Sequence, residues 1–103
     1  MEQVKSSWPF DVPPDSSVVT STYVTQKELP VLQVSHDEDE EDGALWQFHC
    51  GNGDLDSAVL QLVRLDEILR LDPSLSAVAT LPIGFQATRS SREDPWVFAP
   101  AQD

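Results

Sequence analysis

Six consecutive carboxylates, Asp37, Glu38, Asp39, Glu40, Glu41 and Asp42, are the densest chemical feature of this sequence. Carboxylate oxygens in series suit two tasks, ligating a hard cation or meeting a cationic surface. The calcium template can be tested directly. A twelve-residue EF-hand loop requires Gly at its sixth position and an acid at its twelfth. With Gly43 at the sixth position the loop begins at Glu38 and ends on His49. With Asp37 first, Asp42 falls where Gly is needed. Both registers fail, and weak, loosely held divalent cation is what remains of the metal reading.

Other reactive residue types are sparse. His36, His49 and the single Cys50 could make a metal or nucleophile site. His36 and His49 lie near opposite ends of a predicted hairpin, too far apart to share an ion at ~3.3 Å per strand residue. His49 and Cys50 are sequence neighbours, and neighbours on a strand point to opposite faces. No serine lies in a nucleophile-elbow pattern, and Gly51 and Gly53 lack the rest of a phosphate-binding fingerprint. One cysteine permits no internal disulfide and no multi-cysteine zinc centre. The expectation is a non-enzymatic protein with no cofactor. Arg89 and Arg92, beside Glu93 and Asp94, could hold an anion, but pairing with nearby acids is the expected role.

Charge narrows the partner. Eighteen acids face six bases, a formal net charge of -12. Such a surface repels nucleic-acid phosphates and anionic lipid, so neither nucleic acid nor membrane is expected as a partner. A basic protein fits the sign. No stretch approaches the ~20 apolar residues of a membrane helix, and Met1 to Ser17 lacks a signal-peptide apolar run. The reading is cytoplasmic.

The elements that must position these residues follow from periodicity. Residues 1–17 contain Pro9, Pro13 and Pro14 and read as an irregular N-terminal arm, with Trp8 and Phe10 as anchors to the body. Residues 18–103 read as a single domain. Val18 to Thr25 is rich in Val, Thr and Tyr and predicts a strand. Val31 to Ser35 and Leu45 to Cys50 predict a hairpin, with Val34 opposite Trp46 and Leu32 opposite Phe48. Gln33, Ser35, Gln47 and His49 then share the polar face, and Trp46 is core. The six acids are the connecting loop, since like charges in a row resist packing. Ala58 to Arg64 has apolar residues on both parities and reads as a more central strand. Asp66 caps a short helix carrying Ile68, Leu69 and Leu71. Asp72-Pro73 opens a second helix with Leu75 and Val78 inward. Ile83, Phe85 and Ala87 alternate with Gly84, Gln86 and Thr88 as a strand, and Trp96-Val97-Phe98 predicts a last edge strand. The fold class is α+β, a mainly antiparallel sheet of about five strands with one or two short helices on one face.

Trp46-Gln47-Phe48 with Gly51, Leu65 through Ile68 to Asp72-Pro73-Ser74, then Leu81-Pro82, Gly84, Phe85 and Arg89 make an ordered set. An acidic stretch precedes the Trp. Over roughly residues 22–98 this pattern resembles the bacterial immunity protein 33 family, grouped with polymorphic-toxin immunity proteins. It departs from that family at Leu32-Gln33-Val34-Ser35, where an Arg-containing strand is usual, and at Leu45, where Gly is usual. The resemblance implies an antitoxin that blocks a basic toxin, or a stand-alone bacterial domain. The expected partner-binding residues are Asp37 to Asp42. Pairing of the Trp96-Val97-Phe98 edge with a second copy would instead make a homodimer.

Overall fold

The computed structural model describes residues 8–38, 43–53 and 56–101. Six strands form one sheet: β1 (Ser17–Ser21), β2 (Gln33–Asp37), β3 (Leu45–His49), β4 (Leu60–Arg64), β5 (Phe85–Thr88) and β6 (Val97–Pro100). A short helix, α1 (Thr22–Thr25), follows β1, and α2 (Leu65–Leu71) and a 3₁₀ helix (Pro73–Val78) separate β4 from β5. The strand order is β4-β1-β3-β2-β5-β6. This is the expected α+β class, with two differences. The described residues hold six strands rather than about five, and within a sheet that is mainly antiparallel, as expected, β1 pairs parallel to β3 while the other four pairings are antiparallel.

Alternate strand positions build the core. Val18, Val34, Phe48 and Ala87 meet Leu65, Ile68, Leu75 and Val78 of the helical segments, and all eight are essentially buried. Burying a Val, Leu or Phe side chain stabilises the fold by ~1.5–3 kcal/mol, so this face sets the register. β2 and β3 pair with Val34 opposite Phe48 and His36 opposite Trp46. The expected pairing is off by two residues, which leaves every side chain on its expected face. Trp46 is core, with Phe10 packed edge-on to it at 5.0 Å between ring centroids. Phe10 is itself buried, and the Trp8 indole N–H donates to the Val12 carbonyl at 2.8 Å. From Trp8 onward the predicted arm is held by the body through Phe10 in the core cluster and Trp8 packed against that cluster.

Three local expectations change. The strand beginning at Val18 stops at Ser21, and Thr22 to Thr25 turns into α1, its Gln26 amide donating to the Thr22 carbonyl at 2.8 Å. The helix after β4 opens one residue before Asp66. Arg64 is its N-cap residue, and the Glu67 carboxylate accepts the Arg64 amide at 3.2 Å. The strand within Ala58 to Arg64 is not central: β4 is an edge, paired only with β1 among the described residues. Its apolar residues fall on both parities because Leu62 is left two-thirds exposed (66%) on the face opposite the core. Asp72-Pro73 does what its residues imply. The Asp72 carboxylate accepts the Ser74 amide at 3.1 Å and Pro73 occupies the first turn, where its missing N–H costs nothing. β6 lies at the other edge, as expected.

Candidate partner-binding site

The acidic run leaves the sheet from its middle. β2 and β3 are third and fourth neighbours in the six-strand order, and Asp37 and Leu45 are the last pair of their ladder. Asp37 is not a free charge. Its Oδ2 accepts the Ser35 hydroxyl at 3.0 Å and the Gln47 side-chain amide at 3.0 Å. These bonds tie the root of the run to both strands of the hairpin. Glu38 is exposed. Asp39, Glu40, Glu41 and Asp42 lie outside the described residues, so of the six expected contact residues the structure places two.

The polar chain continues from Asp37. A carboxylate only accepts, so the Gln47 NH2 faces Asp37 and its carbonyl oxygen faces the His49 Nε2, 3.0 Å away. His49 therefore carries its proton on Nε2, and Nδ1 is left as a bare acceptor. Nδ1 is buried with no hydrogen-bond partner, as is the hydroxyl of Ser21. His49 is only 8% exposed, which corrects the expectation of a solvent-side residue. Its parity is as expected, but the face is covered at that end of the sheet. Burial holds the His49 imidazolium below the ordinary histidine range, while the charge of Asp37 pulls the other way.

The remaining reactive residues disperse. His36 lies on the core side, stacked on Trp46 with centroids 3.9 Å apart, and its Nδ1 donates to the Leu81 carbonyl at 2.7 Å. His49 projects from the opposite face, and Cys50 is buried in the core cluster. Among the described residues no group of three or more His, Cys, Asp or Glu converges on one point. No helix among them is long and apolar enough to cross a membrane.

Arg89 does not face an incoming anion. Its side chain is 1% exposed, and its partner is Asp72 at 2.8 Å, not the neighbouring Glu93 or Asp94. Nε and Nη2 both donate to the Val31 carbonyl, at 3.1 and 2.9 Å. Nη2 also reaches Asp72, while Nη1 reaches Ser74 Oγ and the Arg92 carbonyl, each at 3.0 Å. All five N–H donors are thus used, and the Trp96 ring covers the guanidinium at 4.2 Å. This cluster ties the loop before β2, the 3₁₀ helix and the segment before β6 together. The Asp72 cap is legible in the sequence but its partner is not, because seventeen residues separate Asp72 from Arg89. The available signal was an Arg directly after an alternating strand, shortly before a Trp.

Depressions run along the two sheet edges. A groove of about 480 Å³ lies between β4, α2 and the end of α1, with Val63, Ile68 and Leu71 as its apolar lining and Thr25, Gln61 and Glu67 among its polar lining. At the β6 edge a second depression carries Arg92, Glu93 and Asp94 with Trp96 and Phe98. No protein-family model matches the sequence, and neither a curated protein nor a solved structure is detectably similar to it.

Proposed function

We propose that this protein is a binding module for a basic protein partner, with the acidic hairpin connection as its recognition element. The observation that carries the reading is the placement of the run. A third of the acids, six of eighteen, run from the end of an interior strand into the connection to its interior neighbour, and the first of them is tied to both strands. A charged segment rooted on a rigid scaffold steers an oppositely charged partner and raises its association rate, more so at low salt. Blocking a basic toxin, as the resemblance to immunity proteins implies, is the form of this activity the composition fits.

The structure refines the test. Asp37 works for the fold, so the informative variant neutralises Glu38, Asp39, Glu40, Glu41 and Asp42 to Gln or Asn and keeps Asp37. Association with a basic partner recovered from the source cell is followed at low and at physiological salt. The variant is expected to keep its fold, bind more slowly and lose most of its salt dependence. Unchanged rate and salt dependence in a folded variant would discard the hairpin as the recognition element.

A further inference from the structure

We infer that the outer edge of β4, with the groove between β4 and α2, takes an extended polypeptide segment as an added strand. This surface is separate from the acidic hairpin and does not depend on it.

The two edges of the sheet differ in how they are guarded. Exposed edge strands usually carry charges, Pro or a bulge that block further pairing. β6 is four residues long, contains Pro100 without an N–H, and is neighboured by Arg92, Glu93 and Asp94. β4 is Leu-Gln-Leu-Val-Arg, with its only charge at the end. Among the described residues nothing pairs with its second edge, so the backbone N–H and C=O groups of Leu60 and Leu62 face outward, while the Arg64 amide is held by Glu67. Leu62 and Leu71 are exposed there, at 66% and 52%.

The groove beside that edge suits a strand. Gln61 and Val63 project from the core side of β4, and Ile68 and Leu71 wall the far side from α2. A segment hydrogen-bonded to β4 places every second side chain over this groove. Aliphatic side chains match the Val63, Ile68 and Leu71 lining. The intervening residues lie beside Leu62 on the other face. A Lys or Arg stem covers Leu62 while its charge stays in water.

Charge selects the occupant. At the groove Arg64 pairs with Asp66 at 2.9 Å and Arg70 approaches the same carboxylate at 3.9 Å. With Glu67 added the rim is locally balanced, so the net charge of -12 sets the sign of the wider field. A second copy of this chain is repelled by that field. The occupant is a segment of another protein, alternating aliphatic and basic residues.

The probe is a short blocked peptide of alternating valine and lysine, about seven residues, titrated into the intact protein while backbone amide resonances are followed. Shifts are expected in Leu60 to Arg64 and at Leu71, with Leu71→Glu weakening binding. Two N-methylated peptides sharpen the result, one methylated on valines and one on lysines. All valine amides of a strand point to one side and all lysine amides to the other. One methylated form should therefore bind about tenfold or more weaker, and the other like the parent. Equal binding of both methylated forms, loss of both, or shifts centred on β6 or the hairpin overturns the proposal. So do β4 shifts that follow protein concentration without peptide, which would mean self-pairing. A variant with Glu38 to Asp42 neutralised should still show the β4 shifts, so failure of the hairpin reading and failure of this one are told apart.

Discussion

Two Arg–Asp pairs with almost the same separation do opposite amounts of work. Arg89 and Asp72 meet at 2.8 Å with side chains 1% and 7% exposed. Arg64 and Asp66 meet at 2.9 Å with side chains 58% and 21% exposed. Water competes for the second pair and is excluded from the first. In the buried pair neither charge can be removed alone without stranding the other in a medium that solvates it poorly. The exposed pair loses little, because water replaces the lost partner. Burial and the count of satisfied donors, not distance, separate a fold-defining ion pair from an ornamental one.

The largest expected effect comes from breaking the buried pair. Arg89→Met leaves Asp72 charged and buried, and strips partners from Val31, Ser74 and Arg92. Removing one member of such a pair costs about 3–5 kcal/mol. That is a large share of the ~5–15 kcal/mol that holds a domain together. Urea unfolding measures it. Arg89→Lys should fall between, since an ammonium keeps the charge but cannot span five donor positions. In a double-mutant cycle, Arg89→Met with Asp72→Asn should cost less than the sum of the singles, with coupling of about 0.5–3 kcal/mol. Additive costs would show that Arg89 acts through packing against Trp96 rather than through Asp72.

The same contrast explains what was legible in the sequence. Features written in neighbouring residues were readable: the α+β class, the hairpin parity of Val34, Trp46 and Phe48, the Asp72-Pro73 cap, the inward Leu75 and Val78, and the β6 edge. Each depends on period or on a cap whose partners lie within a few positions. Features made by long-range placement were not. The parallel pairing of β1 with β3 arises because β2 lies one place removed from β1 and β3 folds back antiparallel to β2 into the place between them, and no local pattern records that. β4 read as central because Leu60, Leu62 and Val63 offer apolar side chains to both faces, yet only one face is covered along most of its length. His49 shows the reverse error. A polar residue on the polar parity reads as exposed, but the sheet face is covered where β1 and β3 end. The two described residues of the candidate site illustrate both cases. Glu38 stands exposed as a charged loop residue should, whereas Asp37 is drawn into hydrogen bonds with Ser35 and Gln47.

His49 occupies an intermediate place between the two ion pairs, since it is buried but uncharged. Its pKa in the folded protein lies below the ordinary 6.5, with desolvation the main cause. In the pH window between that value and the lowered one, the unfolded protein binds a proton that the folded protein does not. Stability therefore rises with pH through this window and is lost as pH falls. Replacing His49 with Gln removes the titration and keeps a side-chain N–H for Gln47. The midpoint of thermal unfolding of the natural protein, relative to His49→Gln, is expected to drop as pH falls from neutral toward the carboxylate range. A difference that stays constant with pH, or grows in the other direction, would mean that the imidazole takes up its proton in the fold at least as readily as out of it.

The smallest effect is expected at the exposed pair, and it is informative because the geometry is so close to that of Arg89 and Asp72. Arg64 approaches Asp66 through both Nε and Nη2, at 3.1 and 2.9 Å, so it has a two-pronged contact that the buried pair lacks. The hydrogen bond and charge of Arg64 hold the Asp66 carboxyl below the usual carboxylate range. Solvent screening still leaves little of that interaction as stability. Arg64→Gln should leave the unfolding midpoint within experimental scatter of the parent at neutral pH, and added salt should not widen the difference. The amide of residue 64 still donates to Glu67, so the start of α2 is retained. A loss comparable to that of Arg89→Met would show that bidentate geometry outweighs burial in this fold, and the ranking of the two pairs would have to be reversed.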